Sequence, residues 1–114
     1  MELRIDSSGP YPVARIWGEI RSEDAPTFVE EIHPLVAQSD SKLAIDLSGV
    51  SFLDSTGLAS LINVVTRARL ASGRTILVSP TPFVAGVFDV TNLDQWFEIA
   101  GDLDEAAKYF SAGD

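Results

Sequence analysis

Cysteine is missing from this chain, which removes disulfides, thiolate catalysis and sulfur-based zinc sites from its possible chemistry. Histidine occurs once, as His33. Lysine occurs twice, as Lys42 and Lys108, and 17 acidic residues against 8 lysines and arginines leave a formal net charge of −9. Affinity for nucleic acid comes largely from Lys and Arg that displace counterions from phosphates, so nucleic acid is not an expected partner. Anionic membranes are disfavoured on the same ground, and a basic protein surface is the partner that this charge selects. No stretch approaches the roughly 18 unbroken apolar residues of a membrane span. The opening Met1-Glu2-Leu3-Arg4-Ile5-Asp6 lacks the basic and apolar regions of a signal peptide. The expectation is a cytoplasmic protein with no direct membrane insertion.

What is present reads as one α/β domain spanning residues 1–114, large enough for one hydrophobic core but not for two. Leu3 to Ile5 is a short strand, Ser7-Ser8-Gly9-Pro10 a turn, and Val13 to Ile20 a second strand that so short a connection makes antiparallel to the first. Ser22 is placed to cap a helix with the apolar residues Phe28, Val29, Ile32, Leu35 and Val36. Pro34 predicts a kink or an early end there. Leu43 to Leu47, apolar except for Asp46, suits a strand buried on both faces of a parallel sheet. Leu58, Leu61, Ile62 and Val65 form the i, i+3, i+4, i+7 stripe of a second helix from Thr56 to Ser72, with Gly73 as its C′ residue. The residues from Ser48 to Asp54 are then a loop at the strand's carboxyl end.

Thr75 to Val78 is a fourth strand, and Pro80 and Pro82 open a third helix through Val84, Val87 and Phe88. Trp96 to Ile99 is a fifth strand. Asp102 and Glu105 form a capping-box pair for a last helix carrying Leu103, Ala106, Ala107 and Phe110. Strands alternating with helices predict a mainly parallel mixed sheet of four to five strands with three to four helices packed against it.

No catalytic constellation emerges. His33 lies on the first helix just before the kink, and a nucleophile elbow requires glycine where Leu53 stands, two residues before Ser55. Neither a Walker loop nor a glycine triplet follows a strand, so no cofactor is expected. Asp46 and Asp54 supply two carboxylates without a third ligand, too few for a magnesium site. Trp17 and Trp96 read as core or sheet-face residues.

The stretch with chemistry to offer is Asp54-Ser55-Thr56-Gly57-Leu58, which sets a hydroxyl between an acid and the glycine-containing first turn of an amphipathic helix. Two readings of Ser55 stay open on the residues alone. Serine and aspartate are favoured N-caps because their oxygens accept a hydrogen bond from an orphan N–H. A hydroxyl in that place is also a site for phosphorylation, with Thr56 as the competing acceptor. Gly57 either keeps the first turn bare for another backbone to approach, or is simply tolerated near a helix start.

This strand, the Ser48-Gly49-Val50 turn, Phe52-Leu53, and then Asp54-Ser55-Thr56-Gly57-Leu58 with its amphipathic helix closely resemble the STAS domain of bacterial anti-sigma factor antagonists. The resemblance runs from about Leu3 to Phe110 and includes Gly18-Glu19-Ile20 and Ala25-Pro26. It implies a non-enzymatic partner of an anti-sigma factor that is also a serine kinase. Phosphorylation of the serine matching Ser55 would release that kinase, and a serine phosphatase would restore binding. Asp54, Ser55, Thr56, Gly57 and Leu58 would then centre the docking surface. Many members carry Gly-Glu-Leu-Asp where this chain has Gly18-Glu19-Ile20-Arg21, which puts Arg21 on the implied partner-facing surface with its charge reversed. There Arg21 would hold a phosphate on Ser55 or require a more acidic partner contact; its plain structural reading is a solvated arginine at a helix start. The same resemblance admits an adaptor that is not phosphorylated, bound to a lipid-transport ATPase or a stress-signalling scaffold.

Overall fold

Five strands in the order β1-β2-β3-β4-β5 form the single sheet of this protein, seen in a computed structural model that describes residues 1–112. They are β1 (Glu2–Asp6), β2 (Val13–Ile20), β3 (Lys42–Leu53), β4 (Arg74–Val78) and β5 (Glu98–Ala100). β1 and β2 pair antiparallel across their short turn, and every later pairing is parallel. Parallel neighbours need a crossover, and helices supply each one. After β2 comes a helical run made of a 3₁₀ turn (Ser22–Asp24), α1 (Ala25–Thr27), a π turn (Phe28–Ile32) and α2 (His33–Val36). The others are α3 (Ser55–Leu70), α4 (Pro82–Val90) and α5 (Leu103–Ala112).

Side-chain alternation divides the core between the two faces of the sheet. Leu43, Ile45, Leu47 and Leu77 pack against Phe28, Ile32 and Val36, against Leu61, Val64 and Val65 of α3, and against Val84 and Phe88 of α4. On the opposite face Ala44, Ile76, Val78 and Ala100 meet Ala106 and Phe110 of α5. The middle strands are thus apolar on both sides, as a parallel sheet covered by helices requires.

Several local expectations change. Ser48 to Leu53 are not a loop: β3 runs on to Leu53, paired with β2 through Gly49↔Trp17, Val50↔Gly18, Phe52↔Glu19 and Leu53↔Ile20. Two register shifts in this pairing each leave one extra residue on β3, the second beside Gly18, whose φ of +85° suits glycine. Gly49 is needed for packing rather than turning, since a Cβ there would overlap the indole of Trp17 lying across it. The cap of the first helical run is Arg21, not Ser22, with the Arg21 N–H donating to Asp24 Oδ2 at 2.8 Å. Pro34 does not end that run; the π turn ahead of it accommodates the lost hydrogen bond. Val29, expected on the apolar face, is 55% exposed.

Helix α3 starts one residue earlier than expected and closes with Ser72, not Gly73, in the left-handed region (φ 60°). The Gly73 N–H reaches Ala68 O at 2.7 Å, completing a Schellman arrangement. Glycine is required at 73 because the Ser41 backbone and side chain press against it. Trp96 precedes β5 rather than opening it, and Arg69 covers its ring at 4.4 Å. Asp102 caps α5 through the Glu105 N–H at 2.8 Å, while the Glu105 carboxylate accepts from the Tyr109 hydroxyl instead of closing the box.

Candidate functional site

Ile20 and Leu53 end their strands side by side, so the chain enters both the first helical run and α3 from one edge of the sheet. In open α/β folds this carboxyl edge is where ligands and partners meet the protein. The Asp54 N–H donates to Ile20 O at 3.1 Å, which extends the ladder by one bond. The Asp54 carboxylate then joins two elements: Oδ1 accepts from the Gly57 N–H at 2.7 Å, and Oδ2 accepts from the Ser22 N–H at 3.2 Å. Asp54 is therefore the N-cap of α3, and Ser55 is its first helical residue.

That assignment frees the two hydroxyls. Ser55 and Thr56 are exposed, and neither side chain makes a hydrogen bond among the described residues. Their backbone amides belong to the first turn, which has no intrahelical acceptors, and they face the positive end of a 16-residue helix. Leu58 is half-buried and packs on the core beneath. Gly57 is buried, and the backbone that it admits is the chain's own: a Cβ there would lie 2.5 Å from Ile20 O. Gly57 therefore seats α3 against β2.

Arg21 lies across from Asp54 at the end of β2. Its side chain donates from Nε to Glu19 Oε2 at 3.1 Å. That hydrogen bond, with the charges of Glu19, Glu23 and Asp54, raises its pKa above the ordinary arginine value. Two residues with no site role expected from the sequence complete this edge. Phe52 lies under the Arg21 guanidinium, and Phe83 in the first turn of α4 contacts Phe52. Thr81, the N-cap of α4, donates from Oγ1 to Val50 O at 2.7 Å and so fixes α4 to the same strand.

Other candidates fall outside the site. Asp46 is paired with Arg15 at 3.2 Å and precedes Asp54 by about 25 Å of extended strand, so the two carboxylates do not converge. Among the described residues no group of three His, Asp or Glu side chains is placed to hold a metal ion. His33 stands on α2 with its pKa lowered, chiefly by burial and also by the charge of Arg67.

Asp54→Ala tests the cap directly. Losing both carboxylate bonds is expected to cost about 1–2 kcal/mol, read as a lower urea midpoint at constant slope. An unchanged midpoint would show that the joint contributes nothing.

The family model of the STAS domain matches residues 3–106. The chain belongs to the STAS domain family. It is 32% identical over 85 residues to the anti-sigma-B factor antagonist of Bacillus subtilis, covering 75% of this chain and 77% of that protein. The crystal structure of an anti-sigma factor antagonist from Mycobacterium paratuberculosis superposes with a TM-score of 0.83 at 29% identity, covering 96% of this chain and 93% of that one. The Bacillus cell fate determinant SpoIIAA, solved in its phosphorylated form, shares the fold at 19% identity with a TM-score of 0.71, covering 95% of this chain and 99% of that one. These are names of regulators, and this STAS protein is a regulatory protein rather than an enzyme. No helix among its described residues is long and apolar enough to cross a membrane.

Proposed function

We propose that this STAS protein is an anti-sigma factor antagonist of the cytoplasm. It binds an anti-sigma factor that is also a serine kinase, thereby releasing a sigma factor, and phosphorylation of Ser55 breaks the complex. A serine phosphatase resets it. The observation that carries this reading is the division of labour at the start of α3: Asp54 does the capping, so the Ser55 hydroxyl is exposed and uncommitted. A kinase needs to reach that oxygen without unfolding anything. The names of the relatives supply the partner class, and SpoIIAA, a protein of the same fold, exists in phosphorylated and unphosphorylated forms.

The surface that meets the kinase is the first exposed turn of α3, Ser55 and Thr56, bordered by Arg21, Asp54 and Leu58. Ser55 requires no activating base here, because the kinase supplies both ATP and the catalytic groups. The test is phosphorylation in vitro by purified anti-sigma factor kinases of the source genome, followed by mass spectrometry. One phosphate on Ser55 is expected in the wild type and in Thr56→Ala, and none in Ser55→Ala. A phosphate that persists in Ser55→Ala would move the switch to Thr56, and no phosphate from any such kinase would end the proposal.

A further inference from the structure

Beside Ser55 the sheet edge carries a feature that the helix cap does not explain. The Arg21 guanidinium lies 4.7 Å from the centroid of the Phe52 ring. Phe52 in turn contacts Phe83, with ring centroids 5.3 Å apart and planes inclined by 36°. Phe83 is 45% exposed, and Val90, two turns further along α4, is 79% exposed. Phe83 and Val90 thus put two exposed apolar side chains on α4, and the aromatic pair is in contact with Arg21.

Arg21 is restrained twice, by stacking on Phe52 and by its Nε bond to Glu19. Its two Nη groups make no hydrogen bond among the described residues, and its side chain is 43% exposed. A guanidinium fixed in this way presents a planar fork of donors, the shape that takes a carboxylate in two parallel hydrogen bonds. Restraint also lowers the ordering cost when a partner arrives. Arginine and large aromatic side chains are the residues that most often dominate binding energy in interfaces.

We propose that Arg21, Phe52 and Phe83 form a specificity ledge for the anti-sigma factor, which places a carboxylate on Arg21 and an apolar side chain against Phe52 and Phe83. This rests on reading the chain as an anti-sigma factor antagonist. The ledge selects by rejection as well as attraction, because a partner with a cation at that position would meet a fixed guanidinium. Arg21 follows β2, Phe52 lies near the end of β3 and Phe83 stands in the first turn of α4, so the ledge runs from the end of β2 across β3 to α4.

Calorimetric titration of the purified anti-sigma factors of the source genome into the full chain tests the ledge. The chain is used as wild type, Arg21→Glu, Arg21→Lys and Phe83→Ala, each first melted by circular dichroism. The three variants alter two positions, both exposed side chains, and wild-type melting is expected. Arg21→Glu and Phe83→Ala are each expected to weaken binding tenfold or more. Arg21→Lys falls between, since the ammonium keeps the charge and loses the fork. Changing the facing partner carboxylate to lysine restores binding to Arg21→Glu. If a factor binds the wild type, Arg21→Glu and Phe83→Ala alike, the ledge is overturned while the antagonist reading stands. Should binding depend on the ledge although Ser55 gains no phosphate, the ledge stands and the kinase switch falls. If Arg21→Glu leaves binding intact and instead speeds loss of phosphate from Ser55, the guanidinium serves the phosphate and the ledge is overturned. No binding by any factor would end both readings.

Discussion

Ser55→Asp is expected to fold like the wild type and to bind its anti-sigma factor several hundredfold more weakly, a loss of about 3–4 kcal/mol. The two halves of that expectation have separate causes. Folding survives because residue 55 opens α3, where the free amides of the first turn and the dipole favour an anion by roughly 0.3–1 kcal/mol. Nothing has to be displaced, because the Ser55 hydroxyl has no partner among the described residues and Asp54 already holds the Gly57 amide. Binding fails because the new charge follows the Asp54 carboxylate directly in a chain already at −9, while Arg21, the cation of this edge, has its Nε held by Glu19. A contact shaped for a small hydroxyl then meets bulk, repulsion and the desolvation of a carboxylate. Phosphoserine, at about −1.5 to −2 charges, should do more than aspartate in the same direction. Titration of the anti-sigma factor into Ser55→Asp, beside its thermal melt, separates the two effects. Equal affinity at equal stability would remove Ser55 as the switch. Lost affinity with a collapsed melting temperature would show that residue 55 supports the fold instead.

The alternation of strands and helices was legible because each element is carried by its own periodicity. The stripe from Leu58 to Val65 is visible in one stretch of sequence, and it buries against Ile45 and Leu47 as its spacing requires. Ser48-Gly49-Val50-Ser51 misled for a definite reason. Serine and glycine have the composition of a turn, yet here they continue β3 because β2 is long enough to pair with them and Trp17 needs the bare Cα of Gly49. Turn chemistry is local, whereas that pairing joins residues about thirty positions apart.

The site was legible in its residues but not in its roles. Asp54 and Ser55 are both good caps, and no local rule chooses between them. What decides is the Ser22 amide, which waits at the facing strand end for the second Asp54 oxygen. Phe52 and Phe83 could not be joined from the sequence, because only the crossover through α3 and β4 brings α4 back to the end of β3. Phe52 has a weak signal of its own: an aromatic residue two positions before the cap of a functional helix. Arg21 was noticed as a departure from a pattern, and the structure adds the aromatic surface on which it rests.

Gly57→Ala and Gly86→Ala are the same substitution in two helices, and they are expected to have opposite signs. Alanine is favoured over glycine in a helix by about 0.8–1 kcal/mol. At Gly86 in α4 nothing lies within 4 Å of the added methyl, so the propensity gain is kept and the melting temperature rises. At Gly57 the methyl would sit 2.5 Å from Ile20 O and 3.0 Å from Ile20 Cγ2. The first of these is a backbone atom that no rotamer change can move. It also accepts the Asp54 N–H, so relief requires the start of α3 to lift away from β2. Overpacking of this kind costs typically 1–3 kcal/mol, and loss of the Asp54 bonds to Ile20 and Ser22 adds to it, so the clash outweighs the propensity gain. A net loss of about 1–2 kcal/mol is expected, which lowers the melting temperature by roughly 4–8 °C for each kcal/mol in a domain near this size. Because Ser55 rides on the same turn, binding of the anti-sigma factor is expected to weaken even where the variant is fully folded. Melts of the two variants beside the wild type are decisive: a Gly57→Ala protein as stable as Gly86→Ala would mean that α3 is not seated on the Ile20 carbonyl. In that case the strand end would no longer be what positions Ser55.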